Sequence, residues 1–340
     1  MQMTQKRITD FCQYNFSKKY PLEQLLFFDI ETTGLSADIS SLYLIGCVYY
    51  KQESWQLIQW FSDEYHEESE LLKAFFEFSY NFSYLLHYNG NGFDIPYLEK
   101  KCHQYNLNYN FSHLKNIDLY KKFLPFKKML HLTSIKQKKV EELFGLYRKD
   151  KYSGVELIKV YGDYIHGKIL KKDIALLEEQ KSTLLLHNHE DLTGLLYVTP
   201  ILAFEDLFDL ENSVAVTSCS YTENSLILTA NLFSPLPLNF TFQKENWQFE
   251  SKKETGIMTI PVSNHQFKLY YENYKDYFYL PAEDTAIHKS VAIYVDKEYR
   301  QKATKENCYT KVTITEELLN DRKKLSQCFQ MLMNYYIKLK

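Results

Sequence analysis

Over the first 120 residues short apolar runs alternate with polar turns, helical periodicity takes over to about residue 200, and short alternating segments follow. Leu25-Leu26-Phe27-Phe28-Asp29-Ile30-Glu31 reads as a strand that breaks at Thr32-Thr33-Gly34. Strand side chains alternate faces, so Asp29 and Glu31 share one face while Phe28 and Ile30 pack on the other. Residues 42–50 and 55–61 read as two more strands joined by a polar turn, an antiparallel beginning. Residues 67–79 place Leu71, Leu72, Phe75, Phe76 and Phe78 at helical spacing. A fourth strand at 82–88 ends in Asn89-Gly90-Asn91-Gly92, and Phe93-Asp94-Ile95-Pro96 then opens a helix to about Gln104. Pro96 suits a first helical turn, where an amide donor is not needed. Residues 116–120 form a short extended piece, and residues 1–20, without a firm pattern, are expected as a short lead-in helix or arm.

Thr133 or Ser134 is expected to cap a helix running to Phe144 and stopped by Gly145, and Ser153-Gly154 introduces another to about Tyr164. A long helix over 172–197 contains His187-Asn188-His189-Glu190-Asp191. After about residue 208, segments at 213–217, 225–230, 239–242, 256–260 and 266–271 predict a small antiparallel domain of five to seven strands. Residues 277–280 read as its last or next-to-last strand, and 316–338 close the chain as a helix. Two domains are therefore expected, at 20–205 and 206–340.

Composition narrows this picture only slightly. A chain of 340 residues with 45% hydrophobic and 24% charged residues is an ordinary globular one. No apolar stretch is long enough to span a bilayer and no signal-like segment follows the N-terminus, so a cytoplasmic location is expected. Cys12, Cys47, Cys102, Cys219, Cys308 and Cys328 form no Cys-x-x-Cys pair, which argues against a disulfide framework or a zinc site. The net charge of −3 is uninformative, but residues 115–151 hold 11 basic against 4 acidic side chains. That interval, with Lys121, Lys122, Lys127, Lys128, Lys136, Lys138, Lys139 and Arg148, reads equally as a phosphate-tracking surface or as solvated helices.

The acids carry the chemistry. Asp29 and Glu31, side by side at the end of an apolar strand, repel each other unless a cation lies between them, and a divalent metal ion is the obvious candidate. Asp94 sits at a strand-to-helix junction facing the crevice where open mixed sheets keep their ligands, although a lone aspartate there also serves as a helix cap. His187 and Asp191, four residues apart on one helix, place their Cβ atoms about 6 Å apart. Such a pair is ordinary on a surface, but next to a metal site His187 is suited to take a proton from water.

Three of these segments resemble the motifs of the DEDD exonucleases of the ribonuclease H-like fold: residues 28–35, residues 87–98, and His187-Asn188-His189-Glu190-Asp191. The resemblance implies an α/β fold, a ribonuclease H-like mixed β-sheet with flanking helices, here followed by a smaller mostly β domain with a C-terminal helix. It implies that Asp29, Glu31, Asp94 and Asp191 hold two Mg²⁺ or Mn²⁺ ions and that His187 orients or deprotonates the attacking water. Within that family a tyrosine type is spaced Tyr-x-x-x-Asp and a histidine type His-x-x-x-x-Asp; this chain joins the histidine chemistry to the tyrosine spacing. Residues 132–154, with Leu132-Thr133-Ser134-Ile135-Lys136, Arg148 and Ser153-Gly154, resemble the linker of the bacterial YprB-like branch. The activity implied is 3′–5′ hydrolysis of single-stranded DNA or RNA, with Thr32, Leu35, Asn89, Phe93 and Lys136 as candidate substrate contacts. The second domain has no such resemblance and is open to holding nucleic acid, binding a protein partner or bracing the nuclease domain. Two rivals remain: a nuclease fold kept as a binding or scaffolding module, and a metal-dependent phosphatase or small-nucleotide hydrolase.

Overall fold

The computed structural model describes residues 1–9, 14–16, 19–209 and 213–337. Contacts divide the chain into two compact units, Met1–Lys127 with Leu132–Pro200, and Lys128–His131 with Ile201–Lys340. Each is described by itself.

The first unit is built on a six-stranded sheet in the order β1-β4-β3-β2-β5-β6. Its strands are β1 (Gln2–Arg7), β2 (Leu25–Thr32), β3 (Leu42–Lys51), β4 (Ser54–Phe61), β5 (Tyr84–His87) and β6 (Lys115–Asp118). Strands β1 to β4 pair antiparallel, whereas β2, β5 and β6 run parallel, so the sheet is mixed. The helices are α1 (Glu68–Ser79), α2 (Asp94–Gln104), α3 (Leu119–Phe123), α4 (Gln137–Leu143), α5 (Gly154–Ile169) and α6 (Ile174–Val198). One face of the sheet buries Leu26, Phe28 and Ile30 with Leu72, Phe75 and Leu98 of α1 and α2. The other buries Leu44 and Phe61 against Leu157, Tyr161 and Leu184 of α5 and α6. The strand alternation of β2 therefore holds, and Asp29 and Glu31 face the α6 side.

Three boundaries differ from the sequence reading. Residues expected as a lead-in helix or arm supply β1, which pairs with β4 over Gln56–Phe61 and forms that edge of the sheet. Neither Thr133 nor Ser134 caps α4; Lys136 precedes it without a side-chain cap, and Ser134 Oγ accepts the Lys136 N–H instead (3.2 Å). Helix α5 runs past Tyr164 to Ile169, started by a capping box of Ser153 and Glu156.

In the second unit five antiparallel strands, β7 (Val214–Tyr221), β8 (Ser225–Leu232), β9 (Thr241–Lys244), β10 (Trp247–Lys252) and β11 (Thr255–Pro261), form a sheet ordered β7-β8-β11-β10-β9. Its alternation is clean, with Leu226, Leu228 and Ala230 buried between exposed or half-buried neighbours. Strand β10 was not read from the sequence, and Tyr277–Leu280 is not near the end of the strand series. It is followed by Thr285–His288, Gln301–Lys302 and Tyr309–Thr313, in two further small sheets. The closing helix is broken at Asp321 into Glu316–Asn320 and Arg322–Ile337, the longer piece stacking Tyr336 on Trp247 (4.5 Å). Lys338 and Cys12 lie outside the described residues; the five described cysteines are free thiols.

Candidate active site

The site forms where β2 outruns its neighbour. Strand β5 pairs with β2 only as far as Phe27, which leaves the later edge of β2 open to the turn that follows β5. That turn leads into α2, whose first residue is Asp94, and the Asp94 carboxylate accepts the Ile30 N–H as well as its own. Gly90 is required beneath it, because a Cβ there would lie 2.8 Å from the His87 ring and 3.2 Å from Asp94 Oδ2.

On the opposite edge of β2, Asp29, Gly46 and Gln59 form one row across three strands. Gly46 has no side chain, and Asn188 of α6 fills the space above it. Asn188 Nδ2 donates to Asp29 Oδ2 (2.8 Å), and its Oδ1 accepts from Gln59 Nε2 (2.9 Å). This seats α6 on the sheet and turns the neighbouring residues His187 and Asp191 toward β2. A register shift between Glu31 and Thr32, with Tyr43 the extra residue of β3, ends the regular pairing at the second strand acid.

His187 is buried and touches three carboxylates. Its Nε2 lies 3.1 Å from Asp191 Oδ2 and 3.7 Å from Glu31 Oε1, and its Nδ1 lies 2.7 Å from Asp150 Oδ2. Ligand atoms of Glu31, His187 and Asp191 all lie within 4.8 Å of one another. Asp29 and Asp94 belong to the same electrostatic cluster. Burial first, then the charges of Asp191, Glu31 and Asp94, push the Asp29 carboxyl well above its ordinary range. Glu31 is raised well above its range for the same reasons, with Asp191, Asp94 and Asp150 acting on it. Burial pushes Asp94 up to about 7, offset in part by its two N–H donors and reinforced by Asp191 and Asp118.

The structure thus brings together Asp29, Glu31, Asp94, His187 and Asp191. Of the five candidate substrate residues, Thr32, Asn89 and Phe93 contact other groups of the protein, and Leu35 and Lys136 are exposed. Thr32 Oγ1 donates to the Gly34 carbonyl (2.8 Å), and Leu35 is 87% exposed in the turn after β2. Asn89, at φ 61°, donates its N–H to Asp118 Oδ1 (2.9 Å). Phe93 packs on Tyr97 (5.4 Å), and Lys136 is exposed just before α4.

Sequence reasoning missed Asn188, Gly46, Asp150 and the role of Arg148. Arg148, read as part of the basic interval, is not a free surface charge: Nη1 lies 2.7 Å from Asp191 Oδ1, and Nε and Nη2 each lie 2.5 Å from Glu141. Lys138 pairs with Asp150 (3.3 Å) and Lys139 with Glu142 (2.8 Å). Nothing in local spacing marks Asp150, since Arg148-Lys149-Asp150-Lys151 reads as an ordinary charged loop.

The donor set fits hard divalent cations. Its carboxylate oxygens suit a hard divalent cation, and the raised strand and helix acids are the like charges such an ion would relieve. The model of the RNase H superfamily matches residues 26–202, more than half of the chain, and the chain belongs to that superfamily. Among solved structures, the family B DNA polymerase from the hyperthermophilic archaeon Pyrobaculum calidifontis is similar to it at 17% identity with a TM-score of 0.42, covering 56% of this chain and 26% of the polymerase. This chain thus corresponds to about a quarter of that polymerase. No curated protein matches it. Among the described residues no helix is long and apolar enough to cross a membrane.

Proposed function

We propose that the first unit is a metal-dependent 3′–5′ exonuclease of the DEDD type, in the YprB-like branch, acting on single-stranded DNA or RNA. The observation that carries the reading is the grouping of Glu31 and Asp191 around His187, with Asp29 and Asp94 close enough to raise and be raised by the same charges. Asp29, Glu31, Asp94 and Asp191 would hold two Mg²⁺ or Mn²⁺ ions. Such ions, when bound, acidify the attacking water, neutralise charge on the phosphate and stabilise the leaving 3′-oxygen.

The protein groups do the rest. Asn188 fixes the orientation of Asp29, and the Ile30 N–H fixes that of Asp94. Nε2 of His187, on the acid side of the ring, accepts the proton of the water whose oxygen bonds to phosphorus. The bond from phosphorus to the 3′-oxygen breaks, and its electron pair leaves on that oxygen. Leu35, 87% exposed in the turn after β2, would meet the terminal base of a strand. Residues 206–340 are proposed as a separate domain that binds nucleic acid or a protein partner.

Incubation of the protein and Mn²⁺ with a 3′-labelled single strand should release labelled nucleoside monophosphate, and Asp29→Ala or Asp191→Ala should abolish release while leaving the circular-dichroism spectrum unchanged. Binding of the strand without turnover would sink the reading in favour of a scaffold. Faster cleavage of dinucleotides than of longer strands would replace it with a small-nucleotide hydrolase.

A further inference from the structure

We propose that Asp150, in the loop between α4 and α5, is the positioning residue of His187, holding the imidazole by Nδ1 so that Nε2 faces the strand and helix acids. The inference rests on the proposed nuclease reading and extends it to a residue outside the four-acid set.

Helix α6 alone does not orient the ring. A helical histidine keeps two χ1 wells and a broad two-fold χ2, so a backbone four residues from Asp191 leaves either ring nitrogen free to face the acids. Asp150 removes that freedom. Its Oδ2 lies 2.7 Å from Nδ1, and both side chains are nearly closed to solvent, 2% exposed for Asp150 and 7% for His187.

Asp150 is itself held from several directions. Its Oδ1 accepts the Tyr152 N–H (3.0 Å), and Lys138 Nζ approaches its Oδ2 (3.3 Å). Its own N–H and that of Lys149 donate to the two carboxylate oxygens of Glu190 on α6 (2.8 and 3.0 Å). One residue further along α6, Asp191 meets Arg148 of the same loop. Consecutive loop residues 148–150 are thus pinned to α6 at three points around His187.

The chemistry follows from the donor inventory. An ionised carboxylate only accepts, so Nδ1 is the donor in the short contact with Asp150, and Nε2 is left facing Asp191 and Glu31. When Nε2 takes the proton of the attacking water, the Asp150 anion stabilises the imidazolium without becoming protonated, the part a buried aspartate plays in other histidine-centred sites. This accounts for a histidine at a spacing that would otherwise leave its ring unaligned.

The ring itself provides the test. Two-bond proton–nitrogen correlation spectra of metal-free, histidine-labelled protein, with His187 assigned by its loss in His187→Ala, should show Nδ1 protonated in the wild type. That pattern should disappear in Asp150→Ala and change in the near-isosteric Asp150→Asn, which serves where the alanine variant does not fold. With Mn²⁺ and a single strand, either variant should lose kcat by about 10- to 100-fold, with KM and the Mn²⁺ dependence unchanged. A ring pattern identical in wild type and variants, or an unchanged kcat, overturns the proposal. A wild-type protein without turnover removes the nuclease reading instead, and the spectra still decide whether Asp150 positions the ring.

Discussion

Gly46 shows how one missing side chain organises this site. It lies between Asp29 and Gln59 across three strands, and Asn188 bridges the two over it. A Cβ at Gly46 would meet Asn188 Oδ1 at 2.0 Å and a Leu192 methyl at 2.6 Å, so Gly46→Ala must lift α6 or expel the amide. The expected cost is about 1–3 kcal/mol, the usual range for overpacking a tight core. Urea denaturation should show it as a lower midpoint with an unchanged slope, and a midpoint equal to wild type would mean that the bridge is dispensable. Within its apolar run the residue reads as strand filler, because its importance lies in what packs above it.

The connection from α4 to α5 is the element whose role changes most on folding. Its charges read equally as a phosphate-tracking surface or as solvated helices, but Arg148 and Asp150 turn inward. Glu141 of α4 is fully buried, and Gly194 of α6 makes room for it, since a Cβ there would lie 1.8 Å from Glu141 Oε1. Arg148 neutralises Glu141 and reaches Asp191, while Gln137 Nε2 donates to the Asp191 carbonyl (2.7 Å) and to Glu141 (3.0 Å). Breaking a buried pair from one side leaves an uncompensated charge, so Arg148→Met should destabilise the protein by about 3–5 kcal/mol. Chemical denaturation measures this, and a loss below about 1 kcal/mol, the range of exposed pairs, would show the pair to be solvated.

At the scale of the whole protein, stability should depend on divalent ions and on pH through the same acids. Saturation with Mn²⁺ at about 100 times its dissociation constant should stabilise the protein by about 2.7 kcal/mol, and the thermal shift should vanish in Asp29→Ala. Without metal, Asp94 is pushed up to about 7, whereas an unfolded aspartate titrates near about 3.9. Between these values the folded state holds the extra proton, so this group's contribution to stability is present at the acid end and lost as pH rises. Buried His87, whose pKa is lowered, acts in the opposite sense below about pH 6.5, and Asp150, also lowered, acts below about 3.9. Thermal melts in chelator at pH 5 and 7.5 should therefore show a steeper loss for wild type than for Asp94→Asn. Equal slopes would count against a raised Asp94.

The sequence by itself determined what depends on local alternation and turn chemistry. That covers the order of elements in the first unit apart from β1 and α3, the shared face of Asp29 and Glu31, the placing of Asp94 where β5 gives way to α2, and the pairing of His187 with Asp191 on α6. Each follows from a period of two or 3.6 residues or from a glycine-rich break. Tertiary structure alone decided that residues 2–7 complete the sheet and that Asn188, Arg148 and Asp150 serve the site. Those roles are made by residues more than 30 positions apart in sequence, such as Asp150 and His187 or Asp29 and Asn188. No periodicity links such pairs, because their partners are chosen only when α6 and the loop before α5 pack against β2.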